Sequence, residues 1–233
     1  MKIVDLTDGP LVEPLYHEVL RPAFPADELM TLDELRNGLP TGAVEGSIAV
    51  DDSRVVGAAI GEWWPSCRVM LLSYLAVVPA VRGSGIGTLP HTGQLDRWRE
   101  KYRPCLVVAE VESPNGHHSS AAYGDPVARL RFYGRHGARV LDLPYFQPAL
   151  SPQKSRVPDM LLLALHADPE LTGPGGPGTA ASAPIRTFLT EYLTLAEGGV
   201  GDDAATAALW RALDAPAGVR MLPVDRFREI PTS

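Results

Sequence analysis

Apolar residues open the chain as a short run over residues 3–6, which reads as a strand closed by the turn residues Asp8-Gly9-Pro10. Apolar positions then recur at helical spacing over residues 11–22 (Leu11, Leu15, Val19) and 31–38 (Leu32, Leu35). They predict two short helices separated at Phe24-Pro25. Two apolar runs, 44–51 and 55–64, flank Asp52-Ser53-Arg54 and predict a hairpin. Residues 68–78 form a third long strand, stopped by Pro79.

After this strand the period changes. Ile86, Leu89, Leu95 and Trp98 suit a helix running to about Tyr102, where Pro104 bars continuation. Residues 106–111 are again an apolar strand, and 113–124 a loop rich in Ser, Asn, Gly and His. A helix over 128–136 closes on Gly137, and strands over 139–145 and 160–166 follow. The order β-α-α-β-β-β-α-β-α-β-β predicts an α/β domain with a mixed sheet over residues 1–167.

Residues 168–184 lose their apolar content and fill with Gly and Pro, which predicts a linker. Beyond it, residues 185–233 form a helical extension. Ile185, Phe188, Leu189, Tyr192 and Ala196 make one amphipathic helix, and residues 204–213 a second. Two short helices cannot stand alone, so they must cover their apolar stripe on the main domain or on another subunit. The reach of the linker favours the second subunit, hence a homodimer through these helices.

Composition narrows the chemistry. The chain has 233 residues, 45% hydrophobic and 21% charged, ample for one buried domain with an appendage. A net charge of -7 with no Lys/Arg-rich run argues against nucleic acid as a partner and suits a cationic acceptor. Cys67 and Cys105 lie in apolar, strand-like runs and read as buried, inert thiols in a reducing compartment. No signal-like apolar core and no apolar stretch of about 20 residues occurs, so the expectation is a cytoplasmic protein without a membrane partner.

The informative stretch runs from Val77 through Pro79, Arg82, Gly83, Ser84, Gly85, Ile86 and Gly87 to Thr88. A strand ends, a glycine-rich segment follows, and a helix opens. Glycines let backbone approach a ligand closely, and a helix start offers unpaired N–H groups and a positive dipole end. Arg82 adds a cation, so the segment predicts a phosphate or pyrophosphate site. It lacks the Gly-Lys-Ser/Thr ending of a P-loop. As a dinucleotide fingerprint it would place the third glycine at Thr88, set Pro79 between strand and glycines, and follow three strands instead of beginning the fold.

These residues resemble the GNAT acetyltransferases. Arg82-Gly83-Ser84-Gly85-Ile86-Gly87, after Leu75-Ala76-Val77-Val78-Pro79, looks like that superfamily's Arg/Gln-x-x-Gly-x-Gly/Ala signature. Leu130-Arg131-Phe132-Tyr133-Gly134-Arg135-His136-Gly137-Ala138 is similar to its helix ending in Phe/Leu-Tyr-x-x-x-Gly-Phe/Ala. The resemblance covers residues 1–167. It implies that acetyl-CoA is bound, its pyrophosphate on the amides of Gly83 to Thr88 and its pantetheine arm along Leu75 to Val77, where this strand splays from residues 106–111. It also implies direct attack of an acceptor amine on the acyl carbonyl, with Tyr133 as proton donor to the leaving thiolate.

The sequence departs from the family pattern in two places. The Asn that many members carry about seven residues before this Tyr is replaced by the region Asp125-Pro126, and no carboxylate base stands in 68–78. The base must come from elsewhere. Period two places Glu110 and Glu112 on one strand face, where Glu110 is the candidate base and Glu112 a solvated strand end. His117 and His118 are further proton acceptors, and Glu62, Trp63 and Trp64 candidate walls of an acceptor pocket, one tryptophan at least serving the core. The function implied is N-acyl transfer to a small-molecule or peptide amine. The alternative is an acyl-CoA-binding or sensing protein with the same fold and no turnover.

Overall fold

The computed structural model describes residues 1–81, 88–120 and 123–233. It divides into two compact units, Met1–Trp64 with Met70–Pro104, and Pro65–Val69 with Cys105–Ser233. The division thus falls at Pro104, whereas composition marked residue 167. No helix among the described residues is long and apolar enough to cross a membrane.

The first unit contains β1 (Lys2–Asp5), α1 (Val12–Pro14), α2 (Leu32–Thr41), β2 (Val44–Asp51), β3 (Arg54–Trp64), β4 (Val69–Val77) and α3 (Thr88–Tyr102). Its strands lie in the order β1-β2-β3-β4, with β2 antiparallel to both β1 and β3. α1 runs on as one π-helical stretch, Leu15–Leu20. The β2–β3 turn places Asp52 and Ser53 at φ 44° and 67°, the left-handed pair that a tight hairpin needs. α2 starts on a capping box, Thr31 and Glu34 each accepting the other's backbone N–H, and stops at Gly42 with φ 74°. Val12, Leu15, Leu20, Leu35, Ile48 and Ile60 are almost wholly buried in one core. α3 packs on β2 and β3 through Trp98, whose ring lies where a Cβ on Gly61 would come within 2.6 Å.

The second unit contains β5 (Leu106–Glu112), α4 (Pro126–Arg135), β6 (Arg139–Leu141), β7 (Tyr145–Gln147), β8 (Val157–Ala167), β9 (Thr179–Ala180), α5 (Ser182–Glu197), α6 (Ala204–Leu213) and β10 (Val219–Pro223). Its strands follow the order β5-β8-β6-β10-β9, and β7 also pairs with β8. The strand expected over 139–145 is therefore two short ones, β6 and β7, with Leu143 between them. β5, β6 and β7 all pair antiparallel with β8, and Met160 to Ala164 of this central strand are buried on both faces. Cys105 donates its thiol hydrogen to the Cys67 carbonyl at 3.2 Å, and burial pushes both thiols up from their usual range.

The tail differs from its sequence expectation. Residues 168–184 carry a 3-10 turn, Pro169–Leu171, and strand β9. The glycines there serve close approach: a Cβ on Gly175 would sit 2.9 Å from the Ala217 carbonyl oxygen. α5 buries Ile185, Phe188, Leu189, Tyr192 and Leu193 within the same unit. The stripe expected to seek a second subunit is thus already covered by its own chain, which removes the physical ground for a homodimer through it. Polar clasps tie α5 down. Ser66 donates to Glu191 at 2.7 Å, and Arg156 spans Glu197 at 2.6 Å and Asp203 at 2.8 Å while lying over the Phe146 ring.

Candidate active site

In the first unit, β4 ends at Val77 and the Val78 N–H donates to the Val56 carbonyl. Ala76 is buried, and Leu75 and Val77 are half-buried. Arg82, Gly83, Ser84, Gly85, Ile86 and Gly87 lie outside the described residues. Thr88 begins α3 directly after them, so the segment leads into the N-terminus of a 15-residue helix. The free amides and dipole of such an end suit a phosphate group.

The same unit holds a carboxylate that strand spacing did not single out as a base. Glu62 on β3 accepts from the Ser73 hydroxyl at 2.6 Å, and burial pushes its carboxyl above the ordinary carboxylate range, offset by that hydrogen bond and reinforced by Glu34. Trp64 is buried, whereas Trp63 is half-buried and stacks on Tyr102 at 4.8 Å. Trp63 thus has one face occupied.

In the second unit the two carboxylates of β5 have different surroundings. Glu112 is not a solvated strand end. Arg129 of α4 donates to it at 2.9 Å, and His117 Nδ1 lies 3.6 Å from its other oxygen. Its charge is neutralised by a guanidinium. His117 Nε2 meets the Pro158 carbonyl at 2.9 Å, and a carbonyl can only accept, so this nitrogen carries a proton. The ring is held between β8 and Glu112. His118 is exposed.

Glu110 accepts from two phenols. The Tyr145 hydroxyl of β7 donates to Oε1 at 2.5 Å, and the Tyr192 hydroxyl of α5 donates to Oε2 at 3.3 Å. Burial and the adjacent carboxylate hold the Tyr145 phenol well above its usual pKa, so it stays a donor. The two phenols donate to different oxygens of the carboxylate and so orient it. Neither tyrosine was found from sequence, because each lies on an element far along the chain from Glu110.

Tyr133 stands on α4, which packs on β5. Its ring is 5% exposed, and burial pushes the phenol up to about 12, against a smaller lowering by Arg129. α4 enters at Asp125, whose carboxylate accepts the Val127 N–H at 2.9 Å, with Pro126 in the first turn. The Asp-Pro pair that breaks the family's Asn pattern is thus a helix start.

No family model matches the sequence, and no curated protein matches it significantly. Solved structures do. A protein from Bacteroides thetaiotaomicron assigned to the GNAT acetyltransferases is 21% identical, with a TM-score of 0.58, over 84% of this chain and 97% of that one. A ribosomal-protein-alanine N-acetyltransferase from Brucella melitensis is 19% identical, with a TM-score of 0.50, over 70% of this chain and 98% of that one. The chain has the fold of the GNAT acetyltransferases.

Proposed function

We propose that this chain is an acyl-CoA-dependent N-acyltransferase, moving an acetyl or other short acyl group to an amine by direct attack. The observation that carries the reading is Glu110: a carboxylate that accepts a phenol hydroxyl on each oxygen, on the strand against which α4 carries Tyr133. The fold and the glycine-rich run before α3 support the same reading.

Acetyl-CoA is the acyl-donor substrate, with its pyrophosphate on the amides from Gly83 to Thr88, Arg82 as counter-charge, and its pantetheine arm along Leu75, Ala76 and Val77. The acceptor nitrogen bonds to the acyl carbon, the carbon–sulfur bond breaks, and its electron pair leaves on sulfur. Glu110 accepts the nitrogen's proton, directly or through a water. Tyr133 acts at the sulfur. With its pKa near 12 the phenol is a weaker acid than a thiol of about 8.5, so it serves best as a hydrogen-bond donor to the developing thiolate.

A net charge of -7 favours a cationic acceptor, either a small amine or a peptide amine. The Brucella melitensis protein is described as acting on an alanine of a ribosomal protein, which keeps the peptide amine in view. Incubation with acetyl-CoA and a panel of amines, read as free thiol, tests the proposal. Amine-dependent thiol release supports it. Coenzyme A binding without release from any amine would favour the acyl-CoA-sensing alternative.

Gly85→Glu is expected to weaken coenzyme A binding tenfold or more, about 1.4 kcal/mol, since a side chain and a negative charge would meet the pyrophosphate. Calorimetry with coenzyme A checks this. A folded variant with unchanged affinity would remove the glycine-rich segment from the site.

A further inference from the structure

Tyr192 lies outside the residues that carry the sequence resemblance, on a helix that composition marked as an appendage. Its hydroxyl nevertheless ends on the proposed base. We infer that Tyr192 is a positioning residue for Glu110: with Tyr145 it fixes the carboxylate in one orientation, so that α5 is part of the active site. This rests on the reading of Glu110 as proton acceptor.

The geometry distributes the two donors. Tyr145 takes Oε1 at 2.5 Å and Tyr192 takes Oε2 at 3.3 Å, so rotation of the carboxyl group breaks both bonds together. Both phenols come from rings that packing holds still. Tyr145 is 1% exposed and lies parallel to Phe146, and Tyr192 is 5% exposed and stacks on the fully buried Phe188 at 5.6 Å. A side chain locked this way holds its hydroxyl in place with little further loss of conformational freedom.

Among the described residues, charged and titratable groups near Glu110 come from several elements. Tyr145 comes from β7, Tyr192 from α5 and Glu112 from β5 itself. Arg129 and Tyr133 belong to α4, with Arg129 and His117 turned to Glu112. On β8 the register partner of Glu110 is the apolar Leu162. Loss of a donor to the charged form makes the carboxylate more basic.

The test uses the full chain labelled with 13C at glutamate carboxyls, the Glu110 signal assigned by its loss in Glu110→Gln. In Tyr192→Phe, which keeps the ring on Phe188, the Glu110 titration midpoint is expected to rise by roughly 0.5 on the pH scale, and in Tyr145→Phe by about 1, as for the loss of one hydrogen bond. The acidic limb of kcat/KM for the acceptor should move by the same amount, with KM for acetyl-CoA unchanged. An unmoved Glu110 midpoint in Tyr192→Phe overturns the positioning role whatever the activity does. A midpoint that moves while the acidic limb stays in place upholds the positioning geometry and overturns Glu110 as the proton acceptor.

Discussion

Ending the chain after His166 is expected to leave the second unit without a cooperative fold. The cut removes α5, whose Ile185, Phe188, Leu189, Tyr192 and Leu193 are all buried. Each such side chain contributes about 2 kcal/mol by burial, hence about 10 kcal/mol together, which is comparable to the whole stability of a typical domain at about 5–15 kcal/mol. The cut also strips β10 from β6, where Met221, Leu222 and Pro223 pair with Leu141, Val140 and Arg139. It further leaves Arg156 without Glu197 and Asp203. Circular dichroism melts and limited proteolysis of the two chains would decide the matter. A shortened chain that melts in one sharp transition, with residues 105–166 protected, would show that the tail is an accessory after all.

The second large effect is expected at Tyr133. Tyr133→Phe deletes one hydroxyl from a ring that is 5% exposed, so the packing of α4 on β5 is kept. Acyl-CoA affinity should stay nearly constant while turnover falls about 10²-fold, as for loss of one donor aimed at developing charge. Because the phenol pKa is pushed up to about 12, it remains protonated through neutral pH, and no limb of the rate profile below pH 9 should belong to it. Steady-state rates against acetyl-CoA, with binding measured separately, test both statements. A variant as fast as the parent would make Tyr133 a packing residue only.

Legibility in the sequence followed the range of the interaction. The β2–β3 hairpin, α3 and α4 were readable because their signals are local: apolar periodicity, turn residues, and a proline or glycine at the boundary. β10 was missed because Val219 to Pro223 is short, carries Arg220, and becomes a strand only by pairing with β6. The supposed linker misled for a different reason. Glycine signals freedom in an isolated chain, yet here it permits backbones to touch: a Cβ on Gly173 would lie 2.9 Å from the Ala180 carbonyl group. At the candidate site, strand alternation did place Glu110 and Glu112 on one face. It could not say that Arg129 would claim the second and two phenols the first, since those partners arrive from α4, β7 and α5.

The pairing of β10 with β6 also sets a schedule for synthesis. The first unit has all its residues once Pro104 has emerged from the ribosome, whereas Val140 must wait for Leu222. At roughly 5–20 residues per second that interval is on the order of ten seconds, during which β6 presents an unpaired edge and the future seat of α5 is bare. Nascent chains stalled within this stretch are the ones expected to recruit chaperones or to aggregate, and slower translation past Leu141 should lengthen their exposure.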